Sequence, residues 1–196
     1  MKEYKVLFLD IETQNSWVDG EPFKVEDLRI SFVGVIDDET GEELDFWEED
    51  MDKLKKLLLS GKKVVHYNGF SFDMPVIANY TGPEVYDVPQ IDLMVAAYKK
   101  IGFRPKLDDL ATATLGYGKI GKGSDAVTYW ATGQLDKLKK YCMQDVRVTM
   151  DVYRYGIEHG IIRYFDRNGF IKDSLIDWSL GEKEGEPKNE DMLSMF

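Results

Sequence analysis

The 196-residue chain is poor in cysteine and in long apolar segments. Its one cysteine, Cys142, excludes an internal disulfide framework and a zinc site built from cysteines. No apolar run approaches the ~18–20 residues that a membrane-spanning helix needs. The apolar part of the segment 1–13 is too short for a signal peptide. These absences predict a soluble protein of a reducing compartment, most simply the cytoplasm, with no membrane partner.

Positive charge is also scarce, with 25 basic against 36 acidic residues and a net charge of −11. That average argues against a nucleic-acid partner, because phosphates are bound by Lys and Arg. The charge is unevenly distributed, however. Residues 99–122 carry six basic and two acidic side chains, whereas residues 181–196 carry five acidic and two basic ones. The chain therefore combines a basic segment with an acidic tail.

The hydrophobic pattern predicts an α/β fold in one domain, residues 1–180, followed by a flexible acidic linker over 181–196. Residues 4–11 are almost continuously apolar, as in a central strand buried on both faces. Two further strands would complete an antiparallel meander, and helices would then alternate with strands, which gives a mixed sheet flanked by helices. We expect strands at 29–37, 44–49, 62–68 and 88–92, helices at 50–61, 71–80, 93–102, 106–116 and 134–157, a loop at 116–125 and a hairpin at 161–178.

The first chemical motif is a pair of carboxylates, Asp10 and Glu12, at the end of the first strand. Side chains two residues apart in a strand point to the same face. Two acids beside a buried strand are costly unless a cation offsets their charge, and Mg²⁺ and Mn²⁺ prefer carboxylate oxygens. The alternative is an ordinary polar strand end.

Two further motifs follow along the chain. Asn68 ends a predicted strand, and Asp73 opens a predicted helix, where it would either serve the site or merely cap the helix. Tyr141 and Asp145 lie four residues apart and so share one helix face. They would either belong to a site or decorate an amphipathic helix.

Together the three motifs resemble those of the DEDD superfamily of 3′–5′ exonucleases, in its tyrosine branch. Asp10-Ile11-Glu12 matches the first motif, Asn68 with Phe72-Asp73 the second, and Tyr141-x(3)-Asp145 the third. The text around the second motif, HYNGFSFDMPVI, looks most like the proofreading domain of family B DNA polymerases and its stand-alone relatives. The resemblance covers roughly residues 4–178 and implies an RNase H-like fold.

The resemblance also implies a mechanism and a set of site residues. Four carboxylates would hold two divalent ions, Mg²⁺ or Mn²⁺, and the ions would stabilise the attacking and leaving oxygens of a phosphodiester. Tyr141 would orient the attacking water, because a phenol with a pKa near 10 is a poor base at neutral pH. Asn68 would approach the substrate or support a metal's surroundings. The implied metal ligands are Asp10, Glu12, Asp73 and Asp145.

Substrate contacts are expected from flexible or aromatic residues near the motifs. Lys119 and Lys122 lie on a glycine-rich segment that would follow phosphates or form a solvated loop. Phe70 and Tyr117 are candidates to stack on terminal bases, whereas core packing is the better interpretation for Phe72 and Trp130. Capping and helix-dipole effects explain Asp92, Asp108 and Asp109, and neither His66 nor His159 is expected to bind metal.

The last five residues form an apolar patch after the acidic linker: Met192, Leu193, Ser194, Met195 and Phe196. They resemble the peptide Gln-Leu-Ser/Asp-Leu-Phe by which bacterial polymerases and repair enzymes bind the sliding clamp. Leu193, Ser194 and Phe196 match it, and Met192 replaces the glutamine. The alternative is a tail that packs on its own domain.

These patterns predict a metal-dependent 3′–5′ exonuclease that acts on single-stranded DNA ends, in proofreading or repair. The same motifs would serve an enzyme that trims RNA, because contacts to the 2′-hydroxyl are not visible in the sequence. A catalytically silent nucleic-acid-binding or assembly domain is the third reading, and the low pI favours it.

Overall fold

The computed structural model describes residues 5–16, 24–118 and 123–183. A five-stranded mixed sheet and a separate hairpin account for the strands, and six helices surround them in this part of the chain. The strands are β1 (Val6–Thr13), β2 (Ile30–Asp37), β3 (Glu42–Phe46), β4 (Lys63–His66), β5 (Gln90–Asp92), β6 (Ile161–Phe165) and β7 (Ile171–Leu175). The helices are α1 (Met51–Leu58), α2 (Asp73–Thr81), α3 (Leu93–Ile101), α4 (Leu107–Leu115), α5 (Gly123–Ala131) and α6 (Leu135–His159).

The sheet has the strand order β3-β2-β1-β4-β5. The first three strands form an antiparallel meander, and β4 and β5 add to β1 in parallel. The predicted α/β fold with a mixed sheet is therefore confirmed. Because β1, β4 and β5 run in the same direction, their carboxyl ends lie at one edge of the sheet, where ligands of open α/β sheets bind.

Strand β1 is central and buried on both faces, as its apolar sequence predicts. Phe8 belongs to the core cluster that contains α3, α4 and α6, whereas Leu7 and Leu9 belong to the cluster on the opposite face with α1 and α2. Asp10 and Glu12 have the same parity as Phe8 and so lie on the α6 face. The alternation along one strand thus decides which helices meet the acids.

Two local predictions were wrong. The third strand ends at Phe46 rather than at residue 49, and residues 48–50 form a short 3₁₀ turn instead. The loop expected over 116–125 gives way at Gly123 to helix α5, which sequence analysis did not predict because glycines dominate that segment. None of the helices in the described ranges is long and apolar enough to cross a membrane.

Candidate active site

The first pair of acids sits where β1 leaves the core. Asp10 pairs with Gly34 of β2 and Glu12 with Phe32, and the register shifts between Glu12 and Thr13. Both acids are half-buried, whereas their neighbours Leu9 and Ile11 are buried on the opposite face. The predicted shared face is confirmed.

Gly34 lets helix α6 approach the sheet beside these acids. A Cβ at position 34 would stand 2.8 Å from Met143 Sδ, 3.1 Å from Val146 Cγ2 and 3.3 Å from Cys142 Sγ. Those distances are tighter than most packing contacts, so a larger residue at this position would force Met143 and its neighbours on α6 to shift. Sequence analysis missed this residue, although a lone glycine inside an apolar strand is the usual sign of a close approach.

The thiol of Cys142 connects the two elements. It donates to the Asp10 carbonyl oxygen (Sγ to O 3.4 Å) and lies 3.6 Å from Asp10 Oδ2. Burial raises the pKa of this thiol well above its usual value, and the charges of Asp10, Glu12 and Asp145 raise it further. The thiol is therefore protonated at neutral pH. Asp10 and Glu12 on β1 therefore lie close to helix α6, which carries this thiol and Asp145.

Tyr141 and Asp145 share a face of α6, as predicted, and both are buried: Asp145 is only 1% exposed. An exposed position would fit the decoration of an amphipathic helix, but a buried carboxylate does not. Removing a carboxylate from water costs free energy unless hydrogen bonds, an opposite charge or a metal ion compensate for the lost hydration. Asp145 therefore lies on the buried side of α6 and not on its solvated side.

Asp73 is the first residue of α2, and it is buried as well. Phe72 holds the N-cap position, and Asp73 is the acidic residue of the first helical turn. Helix α2 follows β4, whose carboxyl end lies beside that of β1. The fold thus places Asp73 at the sheet edge that also carries Asp10 and Glu12.

The turn between β4 and α2 carries the two predicted substrate contacts, Asn68 and Phe70. Both are half-buried, and Asn68 is the one non-glycine residue with a positive φ, 64°, in the described ranges. The Phe70 ring stands edge-on to the buried His66 ring, with centroids 5.0 Å apart. His66 is a core residue, and His159 ends α6.

The remaining candidates fall into two groups. Phe72 and Trp130 are half-buried against the two core clusters, which confirms core packing, and Tyr117 is exposed with its hydroxyl donating to Asp151. Asp92 caps α3 by accepting from the Met94 and Val95 amides, as expected. Lys119, Lys122 and the peptide Met192–Phe196 lie outside the described residues, so those expectations stay predictions.

The donor set fits a hard divalent cation. One ligand atom each of Asp10, Glu12 and Cys142 lie within 4.8 Å of one another. Oxygen ligands on opposite sides of one Mg²⁺ ion lie about 4.2 Å apart, twice the metal–oxygen distance of about 2.1 Å. Because the thiol is protonated and Mg²⁺ and Mn²⁺ select oxygen, the two carboxylates are the natural ligands in this group.

Comparison with known proteins agrees with this architecture. A family profile of the RNase H superfamily matches residues 7–156, and the chain belongs to that superfamily. Among solved structures, the family B DNA polymerase of the hyperthermophilic archaeon Pyrobaculum calidifontis is similar in fold, with a TM-score of 0.61 and 18% sequence identity. The match covers 79% of this chain but only 24% of the polymerase chain. No curated protein sequence matches. Superfamily and fold together indicate a nuclease.

Proposed function

We propose that this chain is a metal-dependent 3′–5′ exonuclease of the tyrosine branch of the DEDD superfamily. It would remove nucleoside 5′-monophosphates from the 3′ ends of single-stranded DNA, in proofreading or repair. The observation that carries the proposal is the pair Asp10 and Glu12, whose ligand atoms lie within 4.8 Å of each other and of the Cys142 thiol, with the buried Asp145 one turn further along the same helix as Cys142. Nucleic-acid phosphates repel such a cluster, so it suits the substrate only when divalent cations lie between them.

The metal ligands of the proposed site are Asp10, Glu12, Asp73 and Asp145, which would hold two ions, Mg²⁺ or Mn²⁺. When bound, the ions would supply a nucleophilic water at neutral pH and would offset charge on the phosphate. The four acids themselves would fix the positions of the ions. Their burial against β1 and α6 leaves few alternative side-chain positions, which is the preorganisation that such chemistry needs.

Tyr141 would orient the attacking water with its hydroxyl group. The water oxygen bonds to the terminal phosphorus, the bond from phosphorus to the preceding 3′ oxygen breaks, and that oxygen leaves as a hydroxyl after taking a proton. The products are a nucleoside 5′-monophosphate and a strand shortened by one residue. Because Tyr141 is 5% exposed, its ring is held by the core and its hydroxyl position is fixed.

Two neighbouring segments would bind the strand end. The turn that contains Asn68 and Phe70 follows β4, beside the acids, and the Phe70 ring would stack on a base. Tyr67, one residue earlier, donates through its hydroxyl to the Pro105 carbonyl oxygen at 2.7 Å. That bond brings the α3–α4 connection to the turn, and its exposed cations Arg104 and Lys106 would meet the phosphates. The local positive segment thus offsets the acidic average of the chain.

The test is digestion of matched 5′-labelled single-stranded DNA and RNA with Mg²⁺, with Mn²⁺ or with EDTA. We expect a ladder that shortens from the 3′ end of DNA, requires metal and is absent with Asp145→Ala. A ladder on RNA alone would replace this proposal with the exoribonuclease. Binding of DNA or RNA without any product would instead support a catalytically silent nucleic-acid-binding domain.

The carboxyl-terminal peptide Met192–Phe196 would tether the enzyme to a sliding clamp and so raise its concentration at primer ends. Deleting residues 192–196 should leave digestion of free oligonucleotides unchanged and should weaken clamp binding in a pull-down with purified clamp. Loss of digestion would instead favour a tail that packs on its own domain.

A further inference from the structure

Three consecutive backbone amides of the turn after β4 are held by two buried side chains. The amide of Asn68 donates to Asp92 Oδ1 at 2.9 Å, and the amide of Phe70 donates to Asp92 Oδ2 at 3.1 Å. Between them, the amide of Gly69 donates to His66 Nδ1 at 3.1 Å. The turn after β4 is therefore held by two hydrogen bonds to Asp92 on the neighbouring strand and by one local hydrogen bond to His66.

Asp92 lies at the end of β5 and is fully buried, directly beside His66 in the register of the parallel strands. The same carboxylate accepts from the Met94 and Val95 amides at 3.0 and 3.3 Å, which caps α3. A cap needs only one oxygen. The second oxygen, Oδ2, serves the turn, so the capping role expected from the sequence covers only part of what this residue does.

His66 completes the support with a defined tautomer. Since Nδ1 accepts from Gly69, the ring proton lies on Nε2, which donates to Gln90 Oε1 at 3.2 Å. Gln90 in turn donates to the Val85 and Tyr86 carbonyls. A Cβ at position 69 would stand 2.4 Å from His66 Nδ1, so the turn approaches the ring as closely as glycine allows.

The supported turn determines where α2 begins. The Met74 amide donates to the Gly69 carbonyl oxygen at 2.9 Å, and this bond ties the turn to the first residues of α2, which begins at Asp73. Asn68 has a positive φ of 64°, a left-handed conformation that Asn adopts more readily than most other non-glycine residues. If the amides lost their acceptors, the turn would relax, and Asn68, Phe70 and the start of α2 would move with it.

We propose that Asp92 is a positioning residue of the nuclease site, which holds the turn of Asn68 and Phe70 and thereby the first turn of α2 with Asp73. The expected effect of Asp92 on turnover rests on the proposed function. Its effect on the conformation of the turn does not. Asp92 does not touch the reacting atoms in this assignment and acts only through the turn.

Two variants separate the turn from the helix cap. Asp92→Asn keeps an oxygen at the Oδ1 position but places an NH₂ group, another donor, against the Phe70 amide. Asp92→Ser keeps a good cap for α3 but is too short to reach the turn. The matched control is Asp177→Ser, because Asp177 caps a 3₁₀ turn by accepting from the Ser179 amide and is exposed.

The experiment combines amide hydrogen exchange with turnover at saturating Mg²⁺. We expect faster exchange at residues 68–70 in both Asp92 variants, unchanged protection in α3, and a fall in kcat of about 10–100-fold, typical when a residue behind a metal site is lost. Asp177→Ser should change neither quantity.

The outcomes that overturn the proposal are distinct from those that overturn the nuclease. Wild-type exchange at residues 68–70 in the variants, or faster exchange throughout α3 and the sheet, would show that Asp92 does not act specifically on the turn. A wild-type kcat with a loosened turn would refute its positioning role. An inactive wild-type protein would refute the proposed function, while the exchange result would still decide whether Asp92 holds the turn.

Discussion

Acidic side chains lie at both ends of strand β1, in different surroundings. At its amino end, the Asp37 carboxylate, paired in the sheet with Leu7, contacts the Lys62 ammonium, and Glu39 contacts Lys5 and Lys62. The hydrogen bond that Lys62 donates to the Asp37 carboxylate raises the pKa of Lys62. Negative charge at this end is balanced within the protein.

At the carboxyl end, Asp10 and Glu12 lie beside the Cys142 thiol. Asp10, Glu12 and Asp145 all raise the pKa of the Cys142 thiol, which donates to Asp10 rather than neutralising it. Like charges that crowd one point favour cation binding. The comparison sets acids that pair with lysine at one end of β1 against acids at the other end that we propose as cation ligands.

The largest expected effect separates the two ends by activity. Asp10→Ala and Asp145→Ala should each lower exonuclease turnover by a factor of about 10³ or more, because each removes a ligand of the proposed site. Asp37→Ala, at the opposite end, should retain turnover within a few-fold. Turnover on labelled single-stranded DNA measures all three, and circular dichroism checks that each variant is folded. Substantial activity in either site variant would refute the ligand assignment.

A smaller effect separates the ends by stability. Asp37→Ala leaves the Lys62 side chain, 17% exposed, without its main partner. We expect the free energy of unfolding in urea to fall by about 1–2 kcal/mol, less than for a fully buried pair because Lys62 can reach water. The matched control is Asp38→Ala, which breaks an exposed contact with Arg154 and should cost about 0.5 kcal/mol or less. Equal losses in both variants would contradict the distinction.

The smallest effect concerns His66, whose burial lowers its pKa below 6.5. Asp92 and the hydrogen bond to Gln90 oppose that shift without reversing it. The unfolded chain therefore binds the proton more readily than the folded one, and stability is lost as the pH falls below about 6.5. The contribution is at most about 1.4 kcal/mol per pH unit.

Urea unfolding of the wild type and of His66→Gln between pH 7 and pH 5 measures this contribution. The variant should be less stable at pH 7, because a Gln side chain does not place its acceptor and its donor where the two ring nitrogens stand, but its stability should depend less on pH. The same slope in both proteins would show that His66 does not titrate on unfolding in this range.

Local sequence patterns predicted the elements that carry the acids. The apolar run before Asp10 gave β1, and the spacing of Tyr141 and Asp145 placed both on α6, because periodicity is a local property. Helix α5 was missed, since the glycines that precede it obscure its start. The alternative roles for Asp145 could be separated only by burial, which depends on the whole fold.

The support of the site could not be predicted, because it depends on contacts between distant residues. The cap by Asp92 is visible from its place before α3, but its bonds to Asn68 and Phe70 join positions 24 and 22 residues apart across two strands. Gly34 shows its purpose only when α6 lies against it. Sequence therefore indicated the chemistry, and tertiary packing determined how that chemistry is held in place.

The central claim is that the carboxyl end of β1 is a divalent-metal site, and metal-dependent stability tests it most directly. We predict that Mn²⁺ at about 100 times its dissociation constant stabilises the wild type by about 2.7 kcal/mol relative to EDTA, whereas Asp10→Ala and Asp145→Ala lose most of that gain and Asp37→Ala keeps it. A wild type that unfolds at the same temperature with Mn²⁺ and with EDTA, or an equal gain in all four proteins, would contradict the account.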